Sequence, residues 1–207
     1  MTSAFSLPRM GAALFTAIAM LGTVAWAQQA PTVRIRGTVE VVDGPMLTIK
    51  TREGDEAKVK MTDNIAVIAI AKTSLSEIKP GSYIGVSGMP QPDGSQKAVE
   101  VHIFMEAQRG LGEGHRPWDL QPQSTMTNAN VEQAVTAVDG QALTLKYKDG
   151  EKKIIVPPDA QIVAFAPGSR EDLKPGVKIF AITEKQADGS LQAARVNYGK
   201  DGVTPPM

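Results

Sequence analysis

An all-β fold, two small β-barrels in tandem behind an export signal, is what this sequence predicts, and three observations predict it. A block of residues recurs about 95 positions further on. Apolar residues alternate with polar ones over short runs, and Asp-Gly and Pro-Gly turns punctuate those runs. The recurrence is specific. Val42-Asp43-Gly44, Leu47-Thr48, Lys50 and Gly54 return 96 positions later as Val138-Asp139-Gly140, Leu143-Thr144, Lys146 and Gly150. Ser74, Lys79-Pro80-Gly81 and Asp93-Gly94-Ser95 return 95 positions later as Ser169, Lys174-Pro175-Gly176 and Asp188-Gly189-Ser190. One residue is lost from the second copy between the blocks, and register held across both ends marks a duplicated unit.

The first element is an address. Residues 1–27 carry one charge, Arg9, then an uncharged stretch rich in Ala, Leu, Ile and Met, then Ala25-Trp26-Ala27. A basic start, a short apolar run and an A-x-A end form a secretory signal, with cleavage expected after Ala27. The apolar run is too short for a spanning helix, and Gly11 and Gly22 interrupt it. The mature chain is expected in the periplasm, or outside the cell, with no membrane span.

The first copy, expected over 28–104, reads as short strands. Val33, Ile35, Val39 and Val41 alternate with polar residues, and Asp43-Gly44-Pro45 turns the chain. Met46, Leu47 and Ile49 resume a strand, and Arg52-Glu53-Gly54-Asp55 turns again. Ala57, Val59 and Met61 predict a third strand, and the apolar run from Ile65 to Ala71 a buried one. Ser74-Leu75-Ser76-Glu77 has the form of a capping box opening a single helical turn, which Pro80-Gly81 must end. Tyr83, Ile84 and Val86, then Ala98, Val99, Val101 and Ile103, predict the last two strands around the Asp93-Gly94 turn. Five or six short strands and one helical turn, needing closure to hide their edges, predict an OB-like barrel. The second copy, expected over 131–201, repeats this, with Ser169-Arg170-Glu171-Asp172 as its box; residues 202–207 are left as a tail.

The order R-G-x-V-x-x-V-D-G-x-x-L-T-I from Arg36 to Ile49, then Ile78-Lys79-Pro80-Gly81, then Asp93-Gly94-Ser95, resembles a domain family of exported bacterial proteins. That family is catalogued as a domain of unknown function, is often found in tandem, and is taken to be OB-like. The resemblance implies fold more than function. In the second copy, Glu132 and Gln133 fall where alignment of the repeat puts Arg36 and Gly37.

Residues 105–130 repeat nothing and are expected to form an ordered linker. They hold Trp118, the one Trp of the mature chain, which is expected to dock the two barrels together. Trp118, Arg116 and His115 are the candidate contacts of a recognition surface in the cleft between barrels. Glu113, His115 and Asp119, with His102 nearby in sequence, form a candidate divalent-metal set of oxygen and nitrogen ligands, without motif-grade spacing. Met105 and Met126 flank it. The Gly110, Gly112 and Gly114 run leads into Pro117, not into a helix, and is no phosphate loop.

Composition closes several routes. With no Cys there is no disulfide, thiolate metal site or cysteine nucleophile, and only two His remain for any relay. Of 207 residues, 22 are Lys or Arg and 22 Asp or Glu, a balance that gives nucleic acid no electrostatic footing. There is no G-x-S-x-G, and barrels filled by their own side chains leave little room for a substrate. The expectation is a non-enzymatic binding or scaffolding module of the cell envelope, its partner an envelope protein or small ligand. No catalytic residue or cofactor is assigned. An envelope metal-binding accessory protein is the alternative, and a small hydrolase the third reading.

Overall fold

The computed structural model describes residue 1 and residues 31–137 and 140–206. The expected signal segment and its cleavage point after Ala27 therefore lie, residue 1 apart, outside the described residues. From there on the chain is all-β. Its strands are β1 (Thr32–Asp43), β2 (Met46–Thr51), β3 (Glu56–Lys72), β4 (Tyr83–Pro90), β5 (Gln96–Ile103) and β6 (Gly114–Pro117). They continue as β7 (Thr125–Ala137), β8 (Gly140–Tyr147), β9 (Gly150–Val156), β10 (Gln161–Pro167), β11 (Lys178–Lys185) and β12 (Leu191–Gly199). Among the described residues no helix is long and apolar enough to cross a membrane.

Pairing runs β1–β2–β3–β12–β11 and back to β1, which closes a five-stranded barrel. A second ring of five, β7–β8–β9–β5–β4, is completed by a short parallel step in which Gln96 and Lys97 face Ile154 and Ile155. Each ring has its own core. Leu47, Ile49, Val59, Met61, Ala181 and Val196 fill the first, and Ile84, Val86, Val101, Leu143, Leu145 and Ile154 the second.

The rings are not the two copies. The first takes three strands from the first copy and two from the second, and the second ring the reverse. The expected barrels 28–104 and 131–201, each closing on itself, are thus replaced by one sheet in which the copies exchange their last two strands. The cause lies in β3. The expected third strand and the apolar run after it are one continuous 17-residue strand. Its first part pairs with β2, its last part with β10, so the chain leaves the first ring and β4 and β5 enter the second. β10 runs between β3 and β5 and ties the rings together.

The exchange is reciprocal. Along β3–β10, Phe165 faces Ile70, its own counterpart in the repeat, and Val163↔Lys72 is the counterpart of Pro167↔Ile68. A local two-fold axis therefore passes through that pair. Parallel β3–β12, with Asn197 beside Ile68, is matched by parallel β10–β5, with His102 beside Val163. Asn197 is the counterpart of His102.

Register corrects the repeat at one place. Val39 faces Ile49 as Val131 faces Leu145, and Gly176 and Gly81 donate to the carbonyls of Val39 and Val131. The first strands thus correspond with an offset of 92, not 96. The hairpin of β7 and β8 is two residue pairs longer than that of β1 and β2. The counterparts of Arg36 and Gly37 are Asn128 and Ala129, not Glu132 and Gln133; Val138 and Asp139 lie outside the described residues.

Both single helical turns are present as 3₁₀ turns, Leu75–Glu77 and Arg170–Asp172, each stopped by Pro-Gly with the Gly at φ +88°. Only one is boxed as expected. The Asp172 carboxylate accepts from the Ser169 amide at 2.8 Å, whereas the Ser74 hydroxyl bonds to that of Ser76 at 2.7 Å. The linker is shorter than 105–130, because β7 starts at Thr125 and β6 adds itself to β7. The tail is seated: Pro205 is buried, and Thr204 accepts from Gln161 and Lys178.

Candidate ligand site at the seam between the rings

The polar face of β5 turns away from the second ring's core and toward the first ring. Val101 points into that core, which leaves Glu100 and His102 on the opposite face, 0% and 2% exposed. His102 Nδ1 and Glu100 Oε1 are 2.7 Å apart. At that distance Nδ1–H donates to the carboxylate. The ring is clamped: it stacks on Phe165 at 4.9 Å and 1°, and Phe104 meets it edge-on at 4.7 Å. Gly85, opposite His102 on β4, leaves room for it. A Cβ there would lie 2.1 Å from Nε2 and 2.7 Å from Asn128 Oδ1. Asn128 Nδ2 donates to the Leu111 carbonyl at 3.1 Å, which fixes the amide with Oδ1 toward that gap. Glu100 Oε2, Asn128 Oδ1 and Asn197 Oδ1 are buried with no hydrogen-bond partner among the described residues.

Beside this cluster lies a cavity of about 440 Å³, walled by both rings and by the linker. Phe104, Phe165, Phe180, Trp118, Met126 and Leu111 give it an apolar lining; His102, Asn128, Arg116, Arg195 and Asn197 supply polar points, and the exposed Glu184 also stands in its wall. A second cavity, about 490 Å³, lies under Arg36, Lys50, Arg52 and Lys178, with Glu100 in its wall. The Glu100–His102 pair therefore separates the two.

Trp118 sits between elements of both copies. It packs on the Ile70, Val163 and Phe180 cluster, with its ring centroid 6.4 Å from that of Phe180. Arg34 and Arg116 flank it at 4.3 and 5.6 Å. Arg36 donates to both oxygens of Asp119, at 2.8 and 3.3 Å, and Arg34 lies 3.5 Å from it. Burial alone would raise the Asp119 carboxyl; the Arg36 hydrogen bonds and the charges of Arg36 and Arg34 outweigh it and hold the pKa below the usual carboxylate value. Arg116 is half-buried and donates to the Gly112 carbonyl at 2.7 Å.

Comparison with family models, with curated proteins and with solved structures finds no match to this chain.

The four candidate metal ligands are dispersed. His102 is held by Glu100, His115 Nδ1 lies 2.8 Å from Thr127 Oγ1, Glu113 accepts from the Lys148 amide, and Asp119 serves the arginines. Among the described residues no group of three or more His, Asp or Glu is placed to hold a metal ion. Of the candidate contacts, Trp118 and Arg116 line the seam cavity, whereas His115, alternating with Arg116 on β6, points out of it. Burial, then Lys152 and Arg116, pushes the His115 pKa down. Two buried hydroxyls beside the seam are engaged: Thr127 donates to Gln96 Oε1 at 2.8 Å, and Ser87 to the Met126 sulfur. Glu100, Asn128, Phe104, Phe180, Arg195 and Asn197 carry no signal in the sequence as site residues. The run Val-Glu-Val-His reads as a strand with a solvated polar face, and only the docking of the first ring covers it.

Proposed function

We propose that this chain is an exported, non-enzymatic binding module of the cell envelope, whose ligand is a small molecule held in the seam cavity. The single observation behind this is a void of about 440 Å³ with aromatic walls, drawn from both copies of a repeat whose ring interiors are filled. That volume falls within the ~300–1,000 Å³ of small-molecule sites, and an apolar lining with a few polar points is their usual chemistry. The order around each ring, three successive strands closed by two that arrive from the other copy, supports an OB-like barrel and the resemblance to the tandem exported family. Residues 1–27 support periplasmic delivery.

Trp118 reports on the site from within. Titration of the mature protein with N-phenyl-1-naphthylamine, a neutral apolar dye, should brighten the dye and quench Trp118 together. Ala66→Trp, which fills the cavity from β3, should remove both signals while leaving the melting temperature near that of the parent. Dye binding that Ala66→Trp does not touch would place binding elsewhere and overturn the reading. N-terminal sequencing of the exported protein should begin at Gln28.

A further inference from the structure

We infer that the ligand of the seam cavity is a compact amphipathic organic acid, its carboxylate held by Arg116 and its aromatic body lying among Phe104, Phe165 and Phe180. This rests on the cavity being the binding site, as proposed above, and adds the charge and shape of what enters it.

The arginines around the linker differ in whether a carboxylate pairs with them. Arg34 and Arg36 share Asp119, and Arg109 is gripped by Glu106 through two nitrogens, at 2.6 and 2.7 Å. Arg116 is different. Half of it is withdrawn from water, yet among the described residues no carboxylate lies within ion-pair distance of it. One of its nitrogens is used, on the Gly112 carbonyl, and its neighbour across the Trp118 ring is another cation, Arg34. Burial pulls its pKa down; Tyr83 opposes that and Arg34 adds to it. A guanidinium desolvated without a counter-ion is costly, and an incoming anion relieves that cost by a charge-assisted, two-pronged contact.

A second cation in the lining agrees. Arg195, on the β12 wall, also makes no ion pair among the described residues, and it is the repeat counterpart of Glu100. Duplication has thus left one side of the seam with a buried acid paired with His102 through one oxygen, and the other side with a cation that has no such partner. An ammonium ligand would meet two arginines against a single carboxylate among the described residues, the exposed Glu184. A carboxylate is drawn in by them, and the aromatic walls take the apolar remainder.

The experiment compares two dyes of similar body, 8-anilinonaphthalene-1-sulfonate and neutral N-phenyl-1-naphthylamine, on the folded mature protein, with 3-phenylpropionate and 3-phenylpropionamide as competitors. The anionic dye should bind about tenfold tighter or better than the neutral one. Arg116→Gln should remove that preference without weakening the neutral dye, while Arg116→Lys, which keeps the charge, retains it in part. 3-Phenylpropionate should displace the anionic dye at concentrations where its amide does not. If both dyes bind equally and Arg116→Gln changes neither, or if acid and amide compete alike, the anion assignment is overturned while the cavity stands. If neither dye binds, the cavity reading itself falls.

Discussion

Gly85 is the residue on which the seam cluster depends, since only the absence of a side chain lets His102 lie flat against β4. An alanine Cβ there would sit 2.3 Å from His102 Cε1, and the ring cannot retreat because Phe165 stacks behind it and Glu100 holds Nδ1. Gly85→Ala should therefore cost about 1–3 kcal/mol by overpacking. Urea denaturation would check it, and an unchanged midpoint would mean that the ring is free to move. Asp119 makes the corresponding electrostatic prediction. Its pKa is lower in the folded chain than in the unfolded one, so its contribution is present above the unfolded carboxylate pKa and is lost as pH falls through the folded one. With its side chain 45% exposed, the pair with Arg36 is worth about 1 kcal/mol or less. Asp119→Asn should lower stability at pH 7, and the gap to the parent should close as acid protonates Asp119 in both states; a gap that persists at pH 2 would assign the loss to packing.

At the scale of elements, local chemistry wrote most of what is present. The period-two alternation placed the strands because each strand of a closed ring has one wet face and one buried face, and that pattern is carried by the strand alone. Pro-Gly after each 3₁₀ turn was legible for the same reason, as Gly81 and Gly176 must adopt positive φ. The hairpin register was not legible. Val42-Asp43-Gly44 and Val138-Asp139-Gly140 match as letters, but the second hairpin grew by two pairs and carried its motif away from the equivalent place. Nor was the burial of Glu100 and His102, because a polar face looks the same whether water or a second ring covers it. The C-terminal segment follows the same logic. Val203 packs against Ile70, Val163 and Phe180, and Thr204 accepts from Gln161 and Lys178, although nothing in Val203-Thr204-Pro205-Pro206 announces a core contact. Truncation after Gly202 should lower stability by about 1–2 kcal/mol, the order expected for uncovering one branched side chain and a proline. Thermal melts of the two lengths would show it, with an equal melting temperature counting against a seated tail.

At the scale of the whole molecule, the exchange of strands is the feature that local pattern could not decide. A strand of one copy buries the same face against either ring, so self-closed and exchanged barrels are written with identical alternation and nearly identical contacts. What separates them is whether the chain turns back after Met61 or continues, and β3 continues to Lys72. The consequence is mechanical. Neither ring can come apart without removing strands from both copies, and the seam cavity has walls only while the two copies stay threaded together. Long-range pairings such as β1 with β11, nearly the full length of the described chain apart, also have to form before either ring closes, which predicts slow folding in a single cooperative step. The topology can be tested by cutting the chain where it is exposed. Gly110, in the turn before β6, is exposed, and a protease site inserted there divides the chain into its two copies. Two self-contained barrels would then be joined only by β6, β7 and the packing of the linker, and would separate on dilution. In the exchanged fold each fragment owns strands in both rings, so the nicked protein should elute from size exclusion at the intact size. It should divide into halves only in denaturant, and should keep its affinity for the neutral dye. Separation of the fragments under native conditions would refute the exchange, and with it the cavity that the exchange creates.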